Sequence, residues 1–334
     1  MCPQKRLCQI ADKIFQINIP HFYDKFVNVY VLVSDTVTLV DTGHSHGSSF
    51  ECLERIIRHL GYELTDVGHI IYTHPHIDHC GGGWAIKRLN PKVINIAFSA
   101  AIGIFARFIP FLDNLLSTAN DFFDTKAKGA PHLLIKQSKK FFGDYNNAFD
   151  LSQEGLVINR PVKDSDRVSI GDLELRVIHT PSHTPWDISL YEPSKGLLFT
   201  GDFIVEKGIP LLSDITGSDV DRYIQSLHQV QKIKLKVLLP GHGRIIHHPG
   251  HHIEAALSNV LSYEEMIVDI LKDKASTLAH ITNVIIREKP DDYNFWYHSL
   301  GVADSILTKL MREGKVTQEV KGGKIYYSLW RQGA

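Results

Sequence analysis

The sequence is poor in cysteine, nearly neutral and without long apolar runs, and each of these features excludes a class of protein. Its formal net charge of -1 over 334 residues is unlike that of a strongly basic nucleic-acid-binding protein or of a chain with an acidic tail. No apolar run approaches the roughly 20 residues that span a bilayer, and the N-terminal segment lacks the hydrophobic stretch of a signal peptide. The few cysteines show neither paired metal-binding spacing nor a disulfide framework. We therefore predict a cytoplasmic protein with reduced thiols at Cys2, Cys8, Cys52 and Cys80.

The composition otherwise supports a sizeable folded protein. Hydrophobic residues make up 43% of the chain, which is enough for one large domain with an appendage or for two domains. The 19 histidines are unusually many, and histidine is the side chain that most often binds metals. Abundance alone is weak support, so the positions of the histidines must decide.

Strand and helix patterns alternate along most of the chain. Short β-branched runs at residues 27–33, 37–40 and 67–72 surround an amphipathic helix at residues 48–60. A second strand-rich stretch begins near Val168 and ends with a buried strand at residues 236–239. Two such halves predict an α/β protein in which two sheets are covered by outer helices.

Two segments interrupt this alternation. Residues from about 98 to 155 contain apolar residues at helical spacing, which predicts a helical insertion with an apolar face and a kink at Pro110. The chain after residue 255 shows helical patterns followed by two strands, and Lys321-Gly322-Gly323 between these strands is typical of a hairpin. We predict a main domain at residues 1–255 and a winged-helix-like domain at residues 256–334.

The segment most typical of a metal-binding site follows the predicted strand at residues 67–72. It contains three histidines and an aspartate within six residues. Alternate residues of a loop can point to one side, so His74 and His76 can bind one metal ion while Asp78 and His79 reach a second. Imidazole nitrogen and carboxylate oxygen both suit zinc and related divalent ions, at about 2.0–2.2 Å. We expect the following glycines, from Gly81 on, to form a tight turn ahead of a helix over residues 83–89.

Three further polar residues each follow a predicted strand. His183 lies in Thr-Pro-Ser-His-Thr, Asp202 in Thr-Gly-Asp, and His242 in Pro-Gly-His-Gly. The flanking glycine, proline and threonine residues are typical of tight turns, which hold side chains rigidly, as a metal site requires.

These motifs, in this order, resemble the metallo-β-lactamase superfamily and especially its glyoxalase-II-like hydrolase branch, over roughly residues 12–255. The Asp-Thr-Gly turn at Asp41 matches the family's first motif. The resemblance implies an αββα sandwich of two mixed β-sheets flanked by helices, and two divalent metal ions, with zinc favoured over iron or manganese. It also implies a first metal site of His74, His76 and His183, a second site of Asp78, His79 and His242, and Asp202 as the bridging ligand.

The chemistry implied by this resemblance is hydrolysis. A hydroxide bridging two metal ions would attack an ester, thioester or lactone carbonyl of a small-molecule substrate. Asp78 is the candidate catalytic residue, since it can orient this nucleophile as well as bind metal. Asp41 is a candidate for orienting a ligand histidine through that histidine's other N–H, or is a plain turn residue.

Several local alternatives stay open in the sequence. Relatives often have a second Gly-His pair where this chain has Trp186-Asp187, and His179 is the alternative to His183 as a ligand. Cys80 is predicted to be a packed side chain rather than a ligand. A cluster near the end of the main domain is predicted to be a solvated loop and helix start rather than a third metal site, and its members are His247, His248, His251 and His252.

Two alternative functions depend on the C-terminal segment. Its pattern is similar to the winged-helix tail of β-lactamase-like proteins that cleave single-stranded RNA, which makes a metal-dependent endoribonuclease or phosphodiesterase the first alternative. Basic residues only slightly outnumber acidic ones after residue 271, so no basic stripe supports nucleic-acid binding. Packing against the main domain or formation of a homodimer is the favoured role of the tail. A metal-containing binding protein without catalysis is the second alternative.

Overall fold

The computed structural model describes two β-sheets, eight helices and a C-terminal hairpin. It describes residues 6–21, 26–45, 47–128, 130, 135–136, 140, 155–206, 208–286 and 293–330. The predicted insertion is therefore described mainly over residues 98–128, and most of residues 129–154 lie outside the described residues.

The first sheet has seven strands in sequential order, antiparallel from the first to the fourth and parallel from the fourth to the seventh. They are β1 (Leu7–Ala11), β2 (Ile14–Pro20), β3 (Phe26–Val33), β4 (Val37–Val40), β5 (Val67–Ile71), β6 (Ile94–Phe98) and β7 (Arg160–Val162).

The second sheet has five strands and is also mixed. Its order is β12-β11-β10-β9-β8, with β11 and β12 parallel and the other pairs antiparallel. These strands are β8 (Arg167–Ile170), β9 (Leu173–His179), β10 (Ile188–Glu192), β11 (Leu197–Gly201) and β12 (Val237–Pro240).

The two sheets pack face to face, and helices cover their outer faces. In β3, Tyr30 and Leu32 join a buried cluster with residues of the second sheet such as Phe199. Val29 and Val31 alternate with these residues along the strand, and successive strand side chains point to opposite faces of a sheet. They therefore lie in a separate cluster that also contains helical residues. This arrangement confirms the predicted αββα sandwich.

The helices of the main body lie close to their predicted positions, with one exception at the second. They are α1 (Gly47–His59), α2 (Ile77–Leu89), α3 (Ile102–Ala106), α4 (Phe108–Asp124), α5 (Val220–Gln231) and α6 (Pro249–Asp273). In α1, Leu53, Ile56 and Ile57 are buried, as the apolar spacing predicts. The second helix begins six residues earlier than residue 83, so the prediction of a glycine turn before it was wrong.

The described part of the insertion, residues 98–128, is mostly helical, as predicted, but its bend lies elsewhere. The axes of residues 99–106 and of α4 differ by 91°, and the break falls at Arg107. Pro110 lies in the first turn of α4, where no backbone N–H is needed for a helical hydrogen bond. The prediction of a kink at Pro110 was therefore wrong. No single helix in the described ranges is long and apolar enough to cross a membrane, although this bent pair meets the criteria of length and composition together.

The C-terminal part contains α7 (Leu278–Ile285), α8 (Tyr293–Arg312), β13 (Val316–Lys321) and β14 (Lys324–Leu329). Lys321 pairs with Lys324, and Gly322 and Gly323 both have positive φ, as a two-residue hairpin turn requires. Buried residues of α8 such as Trp296 belong to the same hydrophobic cluster as α1 and the first sheet. The assignment of this part as a winged helix, and the domain boundary near residue 255, stay predictions.

Candidate metal centre

The densest part of the site lies where β5 leads into α2. His74 is in the connecting turn, and His76 is the N-cap residue of the helix. Asp78 and His79 lie in the first helical turn rather than in a loop, because the helix begins at Ile77. The four side chains are buried. The positive end of the helix dipole is therefore next to the carboxylate of Asp78, which it stabilises.

The glycines that follow belong to α2 and permit close packing rather than a turn. A Cβ on Gly82 would lie 2.9 Å from the Thr42 carbonyl oxygen, and a Cβ on Gly83 would lie 2.0 Å from Tyr72 Oη. Tyr72 cannot move away easily, because it is buried and its hydroxyl donates to Asn95 Oδ1 at 3.0 Å. These glycines let the helix that carries Asp78 and His79 lie directly on the first sheet.

We expect Gly83→Ala to destabilise the protein, although alanine is the better helix former. The new methyl group collides with the fixed Tyr72 ring, and such overpacking typically costs about 1–3 kcal/mol in free energy of unfolding. Gly103→Ala in α3 is the matched control, since nothing lies within 4 Å of its Cβ position. This control should raise the free energy of unfolding by up to about 1 kcal/mol, because alanine is the better helix former. Urea unfolding of both variants measures the two effects, and a Gly83→Ala protein as stable as the control would contradict the packing argument.

The structure brings the other three predicted ligands to the same place. His183 follows β9, Asp202 follows β11 directly, and His242 follows β12. The seven side chains form three groups, and within each group the ligand atoms lie within 4.8 Å of one another. The groups are His74, His76 and His183; His74, His79 and Asp202; and Asp78, His79 and His242. The first and third groups have the same members as the two metal sites that the family resemblance implies.

Three imidazole nitrogens face one another in the first group. His76 Nδ1 lies 2.9 Å from His183 Nε2 and 3.2 Å from His74 Nε2. Burial lowers the pKa of His74 well below its ordinary value and that of His76 to about 3. Both rings are therefore neutral near pH 7, which is the form that binds a metal ion.

In the third group, the Asp78 carboxylate lies close to the imidazoles of His79 and His242. His242 Nε2 is 3.2 Å from Asp78 Oδ2 and 3.3 Å from His79 Nε2. Burial raises the pKa of Asp78, but the adjacent His79 and His242 outweigh this effect and hold the pKa well below its ordinary value. The carboxylate is therefore ionised and attracts a cation.

Asp202 lies between these two groups. Its Oδ1 is 3.4 Å from His79 Nε2, and its Oδ2 is 3.5 Å from His242 Nε2 and 3.9 Å from His183 Nε2. Oδ1 is buried and forms no hydrogen bond with the residues that the structure describes. A buried carboxylate oxygen without such a bond is costly unless a cation pairs with it. Asp202 is therefore within reach of both groups, as the predicted bridging role requires.

Asp41 holds the histidines of two groups from behind. Its Oδ2 accepts hydrogen bonds from Thr73 Oγ1 at 2.8 Å and from His79 Nδ1 at 2.9 Å, and its Oδ1 accepts from Thr73 N at 2.8 Å. Because the Thr73 hydroxyl donates to Asp41, its oxygen accepts from His74 Nδ1 at 3.0 Å. Asp41 itself has φ 59°, an uncommon backbone conformation for a residue other than glycine. These contacts give Asp41 the supporting position that the sequence analysis considered for it.

Backbone carbonyls hold two other histidines in the same way. His183 Nδ1 lies 2.6 Å from Leu211 O, and His242 Nδ1 lies 3.3 Å from Phe26 O. A carbonyl only accepts, so each Nδ1 donates its proton to the carbonyl and each Nε2 faces inward. Burial lowers the pKa of His242, but the carboxylates of Asp202 and Asp78 raise it to about 9, so His242 Nε2 must lose a proton before it binds a metal ion. Four of the five imidazoles thus donate a hydrogen bond from Nδ1, on the side away from the site, to a protein oxygen. The imidazole nitrogens and carboxylate oxygens that face the site fit divalent metal ions.

The alternative ligands lie elsewhere. His179 is in β9, where its Nε2 donates to Pro185 O at 3.0 Å and its ring stacks on Phe98. Cys80 is fully buried and is in none of the three groups. His252 donates from Nε2 to Val205 O at 2.8 Å, and no histidine of residues 247–252 joins a metal-binding group among the described residues.

Asp187 supports the turn that carries His183. Its carboxylate accepts hydrogen bonds from Ser182 Oγ at 2.7 Å and from Thr184 N at 2.9 Å, although burial raises the pKa of this acid. This chain therefore uses a buried aspartate where relatives often have the second histidine.

Two histidines near the site were missed by the sequence analysis. His21 Nε2 lies 3.5 Å from Asp78 Oδ2, and its ring stacks on His44 with the centroids 4.9 Å apart. His44 directly follows the Asp-Thr-Gly turn, which is a local signal that could have found it. His21 follows β2 without any motif, so only the tertiary structure shows its position.

A further contact set fixes the turn at His242. Asn28 Nδ2 donates to Pro240 O at 2.8 Å and to Gly243 O at 2.9 Å, and Tyr30 Oη donates to Pro240 O at 2.7 Å. A Cβ on Gly241 would lie 2.5 Å from Asp202 Oδ1. The turn therefore packs directly against the shared carboxylate and depends on β3 for its position.

Comparison with known proteins shows which proteins this chain resembles. A family model described as Metallo-beta-lactamase superfamily matches residues 23–95 and 127–242, which include all seven ligand candidates and Asp41. Of the solved structures, a metallo-beta-lactamase family protein from Thermus thermophilus superposes with a TM-score of 0.77 at 20% identity. The match covers 96% of this chain and 100% of that one, and it shows the shared fold.

Three curated relatives are similar over different lengths. A Beta-lactamase-like protein 2 homolog of Caenorhabditis elegans is 23% identical over 94% of this chain and 88% of its own length. An Atrochrysone carboxyl ACP thioesterase of Aspergillus fumigatus is 24% identical over 60% of this chain. A Hydroxyacylglutathione hydrolase of Legionella pneumophila (strain Paris) is 28% identical over 42% of this chain. The matches span 64% of the thioesterase and 54% of the hydrolase.

Proposed function

The chain belongs to the metallo-beta-lactamase superfamily, and from this premise we propose that it is a hydrolase of thioesters or esters that uses two divalent metal ions. Zinc is the metal that we favour for both positions, with iron or manganese as alternatives that the same ligands accept. We further propose a small-molecule substrate with an apolar acyl group.

One observation carries the proposal. Six candidate ligands form two groups of three, and a seventh, the Asp202 carboxylate, lies between these groups. In the first group, three imidazoles turn ring nitrogens toward one another at 2.9 and 3.2 Å. At the other group, two carboxylates lie 3.2 and 3.5 Å from His242 Nε2. A purely structural role would not require this concentration of nitrogen and oxygen ligands, because their desolvation is costly unless a cation pairs with them. This arrangement supports two adjacent ions rather than one.

The proposed ligand assignment follows the groups. His74, His76 and His183 would hold one ion, Asp78, His79 and His242 the other, and Asp202 both. Two such ions lower the pKa of a water molecule to near neutrality and polarise the carbonyl of a substrate. The remaining chemistry depends on how the residues of this chain bind, orient and shield the reacting groups.

Asp78 is the proposed catalytic residue among these side chains. Its carboxylate is ionised and lies at the N-terminus of α2, which keeps it ionised and in a fixed orientation. From this position it can accept a hydrogen bond from the attacking water and so orient a lone pair of that water toward the substrate carbonyl. The side chains around it are mostly buried, which strengthens each of these interactions.

A row of neighbouring aromatic rings, from α2 to the turn that carries His183, supports a substrate with an apolar group. The ring of Trp84 lies 4.8 Å from that of Phe108, and Phe111 lies 6.0 Å from both Phe108 and Trp186. Trp186 and Phe111 are only partly buried, so part of this aromatic surface is open. The names of two relatives, a thioesterase and a hydroxyacylglutathione hydrolase, favour acyl transfer to water for the same centre.

The experiment that tests the proposal is a metal-dependence assay. The purified protein, loaded separately with zinc, iron or manganese, should hydrolyse an S-acyl glutathione or a p-nitrophenyl ester. Treatment with a chelator should remove at least about 99% of the activity, and returning the metal should restore it, because the metal ions supply several kcal/mol of transition-state stabilisation.

A labelled single-stranded RNA in the same buffer distinguishes the alternatives. RNA cleavage that is lost in Asp78→Ala, without any ester hydrolysis, would replace the proposal by a phosphodiesterase. Metal uptake with neither activity would indicate a binding protein. Ester hydrolysis that survives complete removal of the metal would contradict the proposed mechanism.

A further inference from the structure

The orientation of the His183 ring depends on one backbone carbonyl. His183 Nδ1 donates to Leu211 O at 2.6 Å, and this bond directs Nε2 toward His76. Leu211 belongs to residues 208–213, which form neither helix nor strand. A segment without regular hydrogen bonding needs other contacts to hold its carbonyl in place. The position of His183 therefore depends on whatever holds residues 208–213.

The C-terminal helix α8 supplies those contacts. His298 Nε2 lies 2.7 Å from Ile209 O, and because a carbonyl only accepts, His298 is the donor. One helical turn later, Gly301 lies against Leu212, where a Cβ would be 2.5 Å from Leu212 O. The side chains of Ile209 and Leu212 are buried in the hydrophobic cluster that also contains Trp296 of α8.

Ion pairs hold α8 itself on the main body, away from residues 208–213. Asp304 is buried and accepts from Lys126 Nζ at 3.0 Å, just after α4. Arg312 pairs with Asp219, the N-cap of α5, and with Asp221 at 2.8 Å. The helix is therefore anchored at two points beyond His298, and it can transmit a fixed position to the segment that it contacts.

We propose that α8 is a structural part of the metal centre and that His298 is a positioning residue for His183. His298 fixes Ile209, Gly301 allows the helix to approach Leu212, and Leu211 between them fixes the His183 ring toward the first metal ion. This inference rests on the proposed function, because it requires that His183 binds metal. It gives the C-terminal part a role at the active centre that requires neither nucleic acid nor a second copy of the chain.

The test is a titration with Co²⁺ alone, followed by visible absorption in the presence of a competing chelator. The wild-type protein should bind Co²⁺ at two sites, and His183→Ala identifies which spectral step belongs to the first group. Removing a hydrogen bond behind a metal ligand typically weakens metal binding by 10–100-fold. We expect His298→Ala to weaken the His183-dependent step by about tenfold and to leave the other step unchanged.

Three further variants separate positioning from general stability. His298→Gln keeps an N–H donor at similar reach and should restore the first step to near the wild-type affinity. Gly301→Ala places a methyl group against Leu212 O and should weaken the same step. Arg312→Ala removes the ion pairs to α5 and should lower thermal stability without changing either step.

Each outcome bears on the proposal. If His298→Ala binds Co²⁺ as the wild type does, or if His298→Gln is equally weakened, the positioning role is overturned. It is also overturned if Arg312→Ala weakens the first step as strongly as His298→Ala. If His298→Ala does not fold, Gly301→Ala carries the same test. A wild-type protein that takes up no Co²⁺ overturns the proposed function itself, and this result is distinct from wild-type binding that is insensitive to His298.

Discussion

Asp202→Ala is expected to lower kcat/KM for ester or thioester hydrolysis by about 1000-fold or more, which corresponds to about 4 kcal/mol of transition-state stabilisation. Its two carboxylate oxygens lie 3.4 Å from His79 Nε2, 3.5 Å from His242 Nε2 and 3.9 Å from His183 Nε2. These three histidines include ligands of both proposed metal sites. Removing the carboxylate therefore weakens both sites together. Steady-state kinetics and elemental analysis of the purified variant measure the two losses.

Asp202→Asn and Asp172→Ala are the matched controls for this prediction. Asparagine keeps the shape of the side chain but not its charge, so it should also lose metal and activity if charge is the cause. Asp172 is exposed and pairs only with Lys13 among the described residues, at 3.5 Å, so its removal should leave both measurements unchanged. An Asp202→Ala protein that retains two metal ions per chain and normal turnover would refute the shared-ligand assignment.

Asp41→Ala is expected to cost about 3–5 kcal/mol of unfolding free energy, because it leaves buried donors without partners. The donors are Thr73 N, Thr73 Oγ1 and His79 Nδ1, all within 2.9 Å of the carboxylate. The same change frees the rings of His74 and His79 to rotate, and metal affinity should fall by about 10–100-fold. Thermal unfolding with and without added zinc, together with chelator competition, checks both effects.

The variant Asp41→Asn separates the role of the Asp41 charge from the role of the backbone conformation at this position. Asparagine tolerates the positive φ of 59° at this position, and its amide oxygen can still accept from Thr73 N. Its NH2 group cannot accept from His79, so stability should recover partly while metal affinity stays low. Equal stability of wild type and Asp41→Ala would show that Asp41 is a plain turn residue.

The candidate ligands could be named from the sequence because metal binding imposes strict local requirements. Histidine and aspartate at short spacing, as in residues 74–79, are rare without a function, and stiff turns around His183 and Asp202 mark rigid positions. The β-branched run at residues 27–33 predicts a strand, which β3 confirms, and in the structure its side chains join two buried clusters. Each of these signals lies within a few residues of the feature that it predicts.

The start of α2 illustrates a local prediction that failed. Three consecutive glycines at residues 81–83 favour a turn by intrinsic propensity. In the structure they are helical, because the helix must lie against Thr42 and Tyr72 without side chains in between. Packing against the sheet outweighs the conformational cost of glycine in a helix, which is about 1 kcal/mol per residue.

What the sequence alone determined is the fold family, seven candidate metal ligands and Asp41 as a candidate support for them. The tertiary structure alone decided how they are held: Asp41 behind His79, the Leu211 carbonyl behind His183, and His298 of α8 behind residues 208–213. It also placed His21 beside Asp78, which no motif indicates. The physical reason is the range of the interactions. The ligand motifs and the turns around them can be recognised from a few neighbouring residues. A hydrogen bond between His298 and Ile209 joins residues far apart in the chain and depends on the packing of the whole fold.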